Sequence, residues 1–163
     1  MGYRDGTVSA PEIAEILLEF RTELAAPPQR VFAALTRAEG LSRWLCDRAR
    51  SEPRTGGRLV LRWSRPDASP QPFEGRWVEF RPPSRCAFEG GHAGYPGGSA
   101  GRVEFELAAV RPGTVAVTRH RLPRRPEYEP IAEAYRAAWP RALARLARSV
   151  DPAAVPDLDQ PVE

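Results

Sequence analysis

The stretch RVEFELAAVRPGTVAVTRHRLP, residues 102–123, decides the fold. Val103, Phe105 and Leu107 alternate with Arg102, Glu104 and Glu106, the period of a strand with one face buried. Pro112-Gly113 is turn chemistry, and Val115 and Val117 resume the alternation as far as Leu122-Pro123. Two strands joined by so short a turn pair antiparallel. Beyond Pro123 the period lengthens. Ile131, Tyr135, Trp139, Leu143, Leu146 and Val150 recur at i, i+4 and i+3 spacing, the apolar stripe of one long helix. Arg136, Arg141, Arg145 and Arg148 lie off the stripe. Pro140 sits inside it and predicts a kink or a lost backbone bond.

The same period of two runs upstream. It starts at Asp47 and continues through Leu59, Leu61 and Trp63, then Phe73–Phe80, then Arg85–Glu89. Before it, Ala14–Leu24 reads as a strand and Pro27-Pro28 stop it. Pro at a first helical turn suits a short helix over 28–37. Gly40 is expected to break that helix, and Leu41–Leu45 to form a second helical turn. The prediction is an α+β chain: about seven antiparallel strands in a curved sheet, two short helices after strand 1, and a long C-terminal helix. Only that helix is large enough to bury one face of the sheet.

Strand parity locates an opening. The turns near 53–56, 81–84 and 111–113 share one end of the sheet. The loops 65–72 and 90–101 and the linker 122–129 share the other. Two long Gly/Pro-rich loops at one end of a concave sheet describe a mouth.

The chain has 163 residues, 42% apolar and 28% charged, the size and composition of one globular domain. The domain is expected over 12–150, with a flexible arm over 1–11 and a disordered acidic tail over 151–163. Net charge is +3. The tail holds Asp151, Asp157, Asp159 and Glu163 and no base, −4, so the body carries +3 + 4 = +7. Its arginines alternate with acids or sit at helical spacing, the pattern of a solvated face, and nucleic-acid reading motifs are missing, so no nucleic acid is expected. All 24 basic residues are arginine, as a GC-rich genome favours, which excludes a lysine Schiff base. No apolar run approaches the ~18 residues of a membrane span, and the N-terminus has no secretory pattern. With only Cys46 and Cys86, a reducing cytoplasm is expected and both cysteines read as apolar fillers.

Several short stretches resemble the SRPBCC (START/Bet v1-like) superfamily, in the branch related to the activator of Hsp90 ATPase. They are Ala26-Pro27 through Val31-Phe32, Ala34-Leu35-Thr36, Leu41 and Trp44, then Gly56-Gly57. Gly75, Glu79, Pro82-Pro83, Arg85 and Phe88 follow, then Gly113-Thr114, His120, Trp139, Leu143 and Leu146. The resemblance covers about residues 14–150 and departs at Ala138, where the family has Gly, and at Pro140. It implies a helix-grip fold with a cavity between sheet and helix. It also implies a hydrophobic small-molecule partner, aromatic or polycyclic, held for carriage, sequestration or self-resistance. A cyclase-like or hydrolytic enzyme and an Hsp90-activator-like interaction module are the alternatives. The chain is expected to be a monomer or homodimer.

Candidate ligand-binding residues are Trp44, Leu61, Trp63, Trp77, Phe88, Phe105, Thr118, Tyr135, Trp139 and Leu143. Trp63 and Trp139 lead, one on the sheet's alternation and one on the helix stripe. His120 is the candidate acid or base. Two registers stay open for it. If alternation buries Val115 and Val117, His120 faces out; in the family's register Ala116, Thr118 and His120 face the cavity. His92 is expected to be solvated. Gly97-Gly98-Ser99-Ala100-Gly101 spells a nucleophile-elbow pattern, but a loop precedes it and a strand follows, so it reads as chance. Two histidines and two separated cysteines give no metal spacing, and no P-loop or dinucleotide fingerprint occurs. No metal and no cofactor are expected. A cross-strand pair Glu79–Arg85 is expected, with Arg62 and Arg76 as cations that either reach the cavity or stay on the surface.

Overall fold

A computed structural model describes residues 14–64 and 71–153. The arm, and the tail beyond Ala153, lie outside the described residues. The elements run β1 Glu15–Leu24, α1 Pro28–Thr36, α2 Ala38–Trp44, β2 Arg48–Ser51, β3 Arg58–Arg62, β4 Phe73–Arg81, β5 Arg85–Gly91, β6 Arg102–Val110, β7 Gly113–Pro123 and α3 Glu129–Val150. Short 3-10 turns occupy Pro96–Gly98 and Pro126–Tyr128.

All seven strands form one antiparallel sheet in the order β1-β7-β6-β5-β4-β3-β2. β1 closes beside β7 because the two short helices carry the chain from one sheet edge to the other. The inner face is set by cross-strand rows such as Leu18–His120–Val103–Phe88. α3 lies along this face and buries Ala132, Trp139, Leu143, Leu146 and Val150 against it. This is the helix-grip fold, and it places a cavity where α3 stands off the sheet.

The outer face is tied by ion pairs. Arg119 bridges Glu19 at 2.8 Å and Glu106 at 2.9 Å. Glu104 takes Arg102 at 2.9 Å and Arg121 at 3.4 Å. Glu79 meets Arg85 at 2.9 Å. Several of these carboxylates and guanidinium groups are partly buried, and Glu104 is buried, so the pairs are shielded from solvent more than surface ion pairs are.

One local expectation changes, and two alternatives left open by the sequence are decided. Gly40 lies inside α2; the break falls at Arg37, which is extended at φ −93°, ψ 145°. A Cβ on Gly40 would stand 2.5 Å from the Ala34 Cα, so glycine lets α1 and α2 touch. Second, β7 turns Ala116, Thr118 and His120 inward, exposed by 1%, 0% and 1%. Val115 and Val117 take the outer face, so the alternation of large residues points to the wrong side. Third, α3 passes Pro140 as one element of 22 residues, losing one backbone bond where the proline has no N–H.

Candidate functional site

The cavity lies at the end of the sheet where the loop between β5 and β6 emerges; residues 65–70 of the other expected long loop lie outside the described residues. Its wall comes from Leu45, Leu61, Trp63, Phe73, Phe88, Val103, His120, Tyr135 and Trp139, with His92, Ala100 and Gly101 from the loop between β5 and β6. It measures about 60 Å³, well below the roughly 300–1,000 Å³ of typical ligand pockets. Side chains therefore fill most of the space between sheet and helix.

His120 organises the floor. Its Nδ1 accepts the Trp139 Nε1–H at 3.0 Å, and its Nε2 lies 2.6 Å from the Ala100 carbonyl oxygen. An indole N–H only donates and a carbonyl only accepts, so the ring is the neutral Nε2–H tautomer. Burial lowers its pKa from 6.5 to about 4, opposed by the bond to Ala100, because desolvation disfavours the charged ring. Both nitrogens are thus occupied. The ring is placed to orient and to donate at Nε2, and it holds no free lone pair with which to take a proton.

Tyr135 stacks against it, the ring centroids 4.4 Å apart. The Tyr135 hydroxyl lies 3.2 Å from that of Tyr95. Burial, with the Tyr95 hydroxyl beside it, holds the Tyr135 phenol far above its ordinary pKa, so it stays protonated. Tyr128 closes the loop from outside the cavity: its hydroxyl reaches the carbonyls of Pro96 at 2.8 Å and Ser99 at 2.9 Å. The glycine-rich loop is therefore stitched to α3 and its lead-in by side-chain hydrogen bonds. Its last residue, Gly101, has φ +78°, and a Cβ there would meet the Arg121 carbonyl oxygen at 1.9 Å.

The four tryptophans separate by their N–H partners. Trp44 donates to Ala34 O at 2.9 Å and Trp77 to Ser51 Oγ at 3.0 Å; both are buried core. Trp63 donates to Leu45 O at 2.9 Å and keeps one ring face toward the cavity. Trp139 donates to His120. Of the candidate residues, Leu61, Trp63, Phe88, His120, Tyr135 and Trp139 line the cavity. Trp44, Trp77, Phe105, Thr118 and Leu143 are buried behind its wall. Leu45, Phe73, Ala100 and Val103 line it although the sequence did not single them out.

His92 is half-buried rather than fully solvated. Its ring lies among Trp63 at 5.9 Å, Phe73 at 5.7 Å and Tyr95 at 4.8 Å, an aromatic rim around the mouth. The only sign of this in the sequence is an aromatic residue three positions on. Ser99 receives the Gly101 N–H on its hydroxyl at 3.1 Å and precedes a strand, which is not a nucleophile elbow. Arg62 and Arg76 are exposed. Burial pushes the Cys46 thiol up to about 11 and Cys86 higher still, so both remain unreactive thiols. Among the described residues no three of His, Cys, Asp and Glu are grouped to hold a metal, and no helix is long and apolar enough to cross a membrane.

A larger concavity, about 660 Å³, lies on the outer side of the β2–β3 edge. It is walled by Arg48, Arg50, Arg58, Arg62, Glu52 and Glu74. An apolar ligand gains little in such polar surroundings, so size alone does not make it the site.

Solved structures share this architecture. Protein MLL2253 from Mesorhizobium loti aligns at TM-score 0.73 with 18% identity, covering 86% of this chain and 100% of that one. The Aha1 dimer from Colwellia psychrerythraea aligns at 0.69 with 18% identity, covering 84% and 97%. DynU16, from the dynemicin biosynthetic locus, aligns at 0.67 with 18% identity, covering 83% of this chain and 47% of its own. At these identities the likeness speaks for the fold. No curated protein matches the chain by sequence. The family model for activator of Hsp90 ATPase homolog 1-like proteins matches residues 25–151, from the end of β1 through the end of α3, and to that family this chain belongs.

Proposed function

We propose that this protein binds a hydrophobic, aromatic or polycyclic small molecule in the cavity between the sheet and α3, as a carrier or sequestering protein. The observation that carries the reading is the cavity wall. It is largely apolar and aromatic, it sits at the end where the loop between β5 and β6 emerges, and three polar side chains, His92, His120 and Tyr135, line it. That combination of apolar wall and few fixed polar groups is what small-molecule sites have. DynU16, a structural neighbour, is placed by name in a biosynthetic locus, which favours a natural-product-like ligand.

Binding needs room that the cavity lacks. The loop over 92–101 contributes His92, Ala100 and Gly101 to the wall, and moving it exchanges protein hydrogen bonds for ligand contacts. Burial of apolar ligand area then contributes ~25 cal/mol per Å². A thermal-unfolding screen against aromatic polyketides, flavonoids, fatty acids and sterols tests the reading. Ligand at a hundredfold over its Kd adds ~2.7 kcal/mol, a rise of roughly 5–10 °C at this size. The rise should shrink in W63A and W139A. A screen with no rise in any class, or a rise untouched by both substitutions, overturns it.

A further inference from the structure

We infer that the cavity selects ligands with a hydrogen-bond acceptor, a ketone or quinone oxygen, at their buried end, and that this oxygen displaces the Ala100 carbonyl from His120 Nε2–H. The inference rests on the proposed binding function and adds the ligand's chemistry. The group that His120 turns toward the cavity is a donor. Trp139 occupies His120 Nδ1 at 3.0 Å, which leaves Nε2–H as the ring's one polar group on the cavity side. Its present partner is the Ala100 oxygen at 2.6 Å, and Ala100 belongs to the cavity wall and to the loop that must move.

Tyr135 adds a hydroxyl whose contact with Tyr95 runs in either direction, so it meets a ligand as donor or as acceptor. Among the described residues no carboxylate lines the cavity, and a ligand amine placed against His120 Nε2–H would set donor against donor. A carbonyl oxygen meets what the Ala100 oxygen meets now. The exchange conserves the hydrogen bond, so opening the loop leaves no buried donor unsatisfied.

The test is calorimetric titration with anthraquinone-2-sulfonate and anthracene-2-sulfonate, which share a tricyclic skeleton and differ in two carbonyl oxygens. The quinone should bind the wild-type chain at least about tenfold tighter, since polar sites discriminate strongly against ligands lacking the matching group. In H120F the two should agree within about twofold. If H120F does not fold, long-range nitrogen–proton spectra of wild-type His120 serve instead. The quinone should then shift the Nε2–H signal and leave Nδ1 unprotonated. Equal wild-type affinities overturn the inference while the binding function stands. A protonated Nδ1 also overturns it. If neither sulfonate binds, the inference falls whatever the thermal screen returns.

Discussion

Trp139 on α3 donates its indole N–H to His120 on β7 at 3.0 Å, and the same imidazole reaches the Ala100 carbonyl at 2.6 Å. One neutral ring thereby joins helix, sheet and loop. The consequence for pH follows from its pKa of about 4, lowered from 6.5 by burial. Above pH 6.5 the ring is neutral folded and unfolded. Between 6.5 and 4 the unfolded chain takes up a proton that the folded chain refuses, so stability falls with pH across that window and this contribution levels off below it. The loss approaches roughly 3 kcal/mol. Urea titrations at pH 7.5 and 4.5 should show it, and H120Q should show a markedly smaller difference.

The indole donor has its own value. W139F keeps an aromatic ring but leaves His120 Nδ1 buried without a partner. We expect a loss of about 2–4 kcal/mol, from the unsatisfied nitrogen and the smaller side chain together. A urea midpoint unchanged from wild type would mean that the hydrogen bond contributes nothing.

Thr118 gives the opposite sign. Its hydroxyl is buried with no partner among the described residues, so T118V removes a desolvated polar group at nearly constant volume. The variant should be more stable by about 1 kcal/mol. A destabilised T118V would show that the hydroxyl is satisfied in solution.

Gly101 should tolerate no side chain. At φ +78°, with the Arg121 carbonyl oxygen 1.9 Å from where a Cβ would stand, G101A must strain the backbone and push β7 away from the loop. A loss of at least about 2 kcal/mol is expected by chemical unfolding. Amide exchange should rise first over 92–101.

Much of this architecture can be read from the chain alone. The alternation at Val103–Leu107 and the helical stripe from Ile131 to Val150 each have one face to bury, and short turns leave only antiparallel pairing. Loop parity needs only the strand count, and it places the mouth where Trp63, His92 and Tyr135 meet. β7 resists such reading, because its large residues Val115 and Val117 sit on the outer face while Ala116 and Thr118 leave the inner face narrow. Sorting the tryptophans fails for a related reason: whether an indole lines a cavity or packs behind it depends on what lies across the sheet. His92 misleads because glycines around it suggest solvent, whereas Trp63, Phe73 and Tyr95 gather on its ring from three separate segments.

The central claim is that a ligand enters beside Trp63 and Trp139, and the four indole N–H signals in a nitrogen–proton correlation spectrum report on it directly. Each indole has its own fixed partner, so each signal is an independent probe. Titration with the class of molecule that raises the unfolding temperature most should move the Trp63 and Trp139 signals and leave Trp44 and Trp77 in place. Shifts confined to Trp44 and Trp77, or to the arginine groups of the β2–β3 edge, would contradict the account.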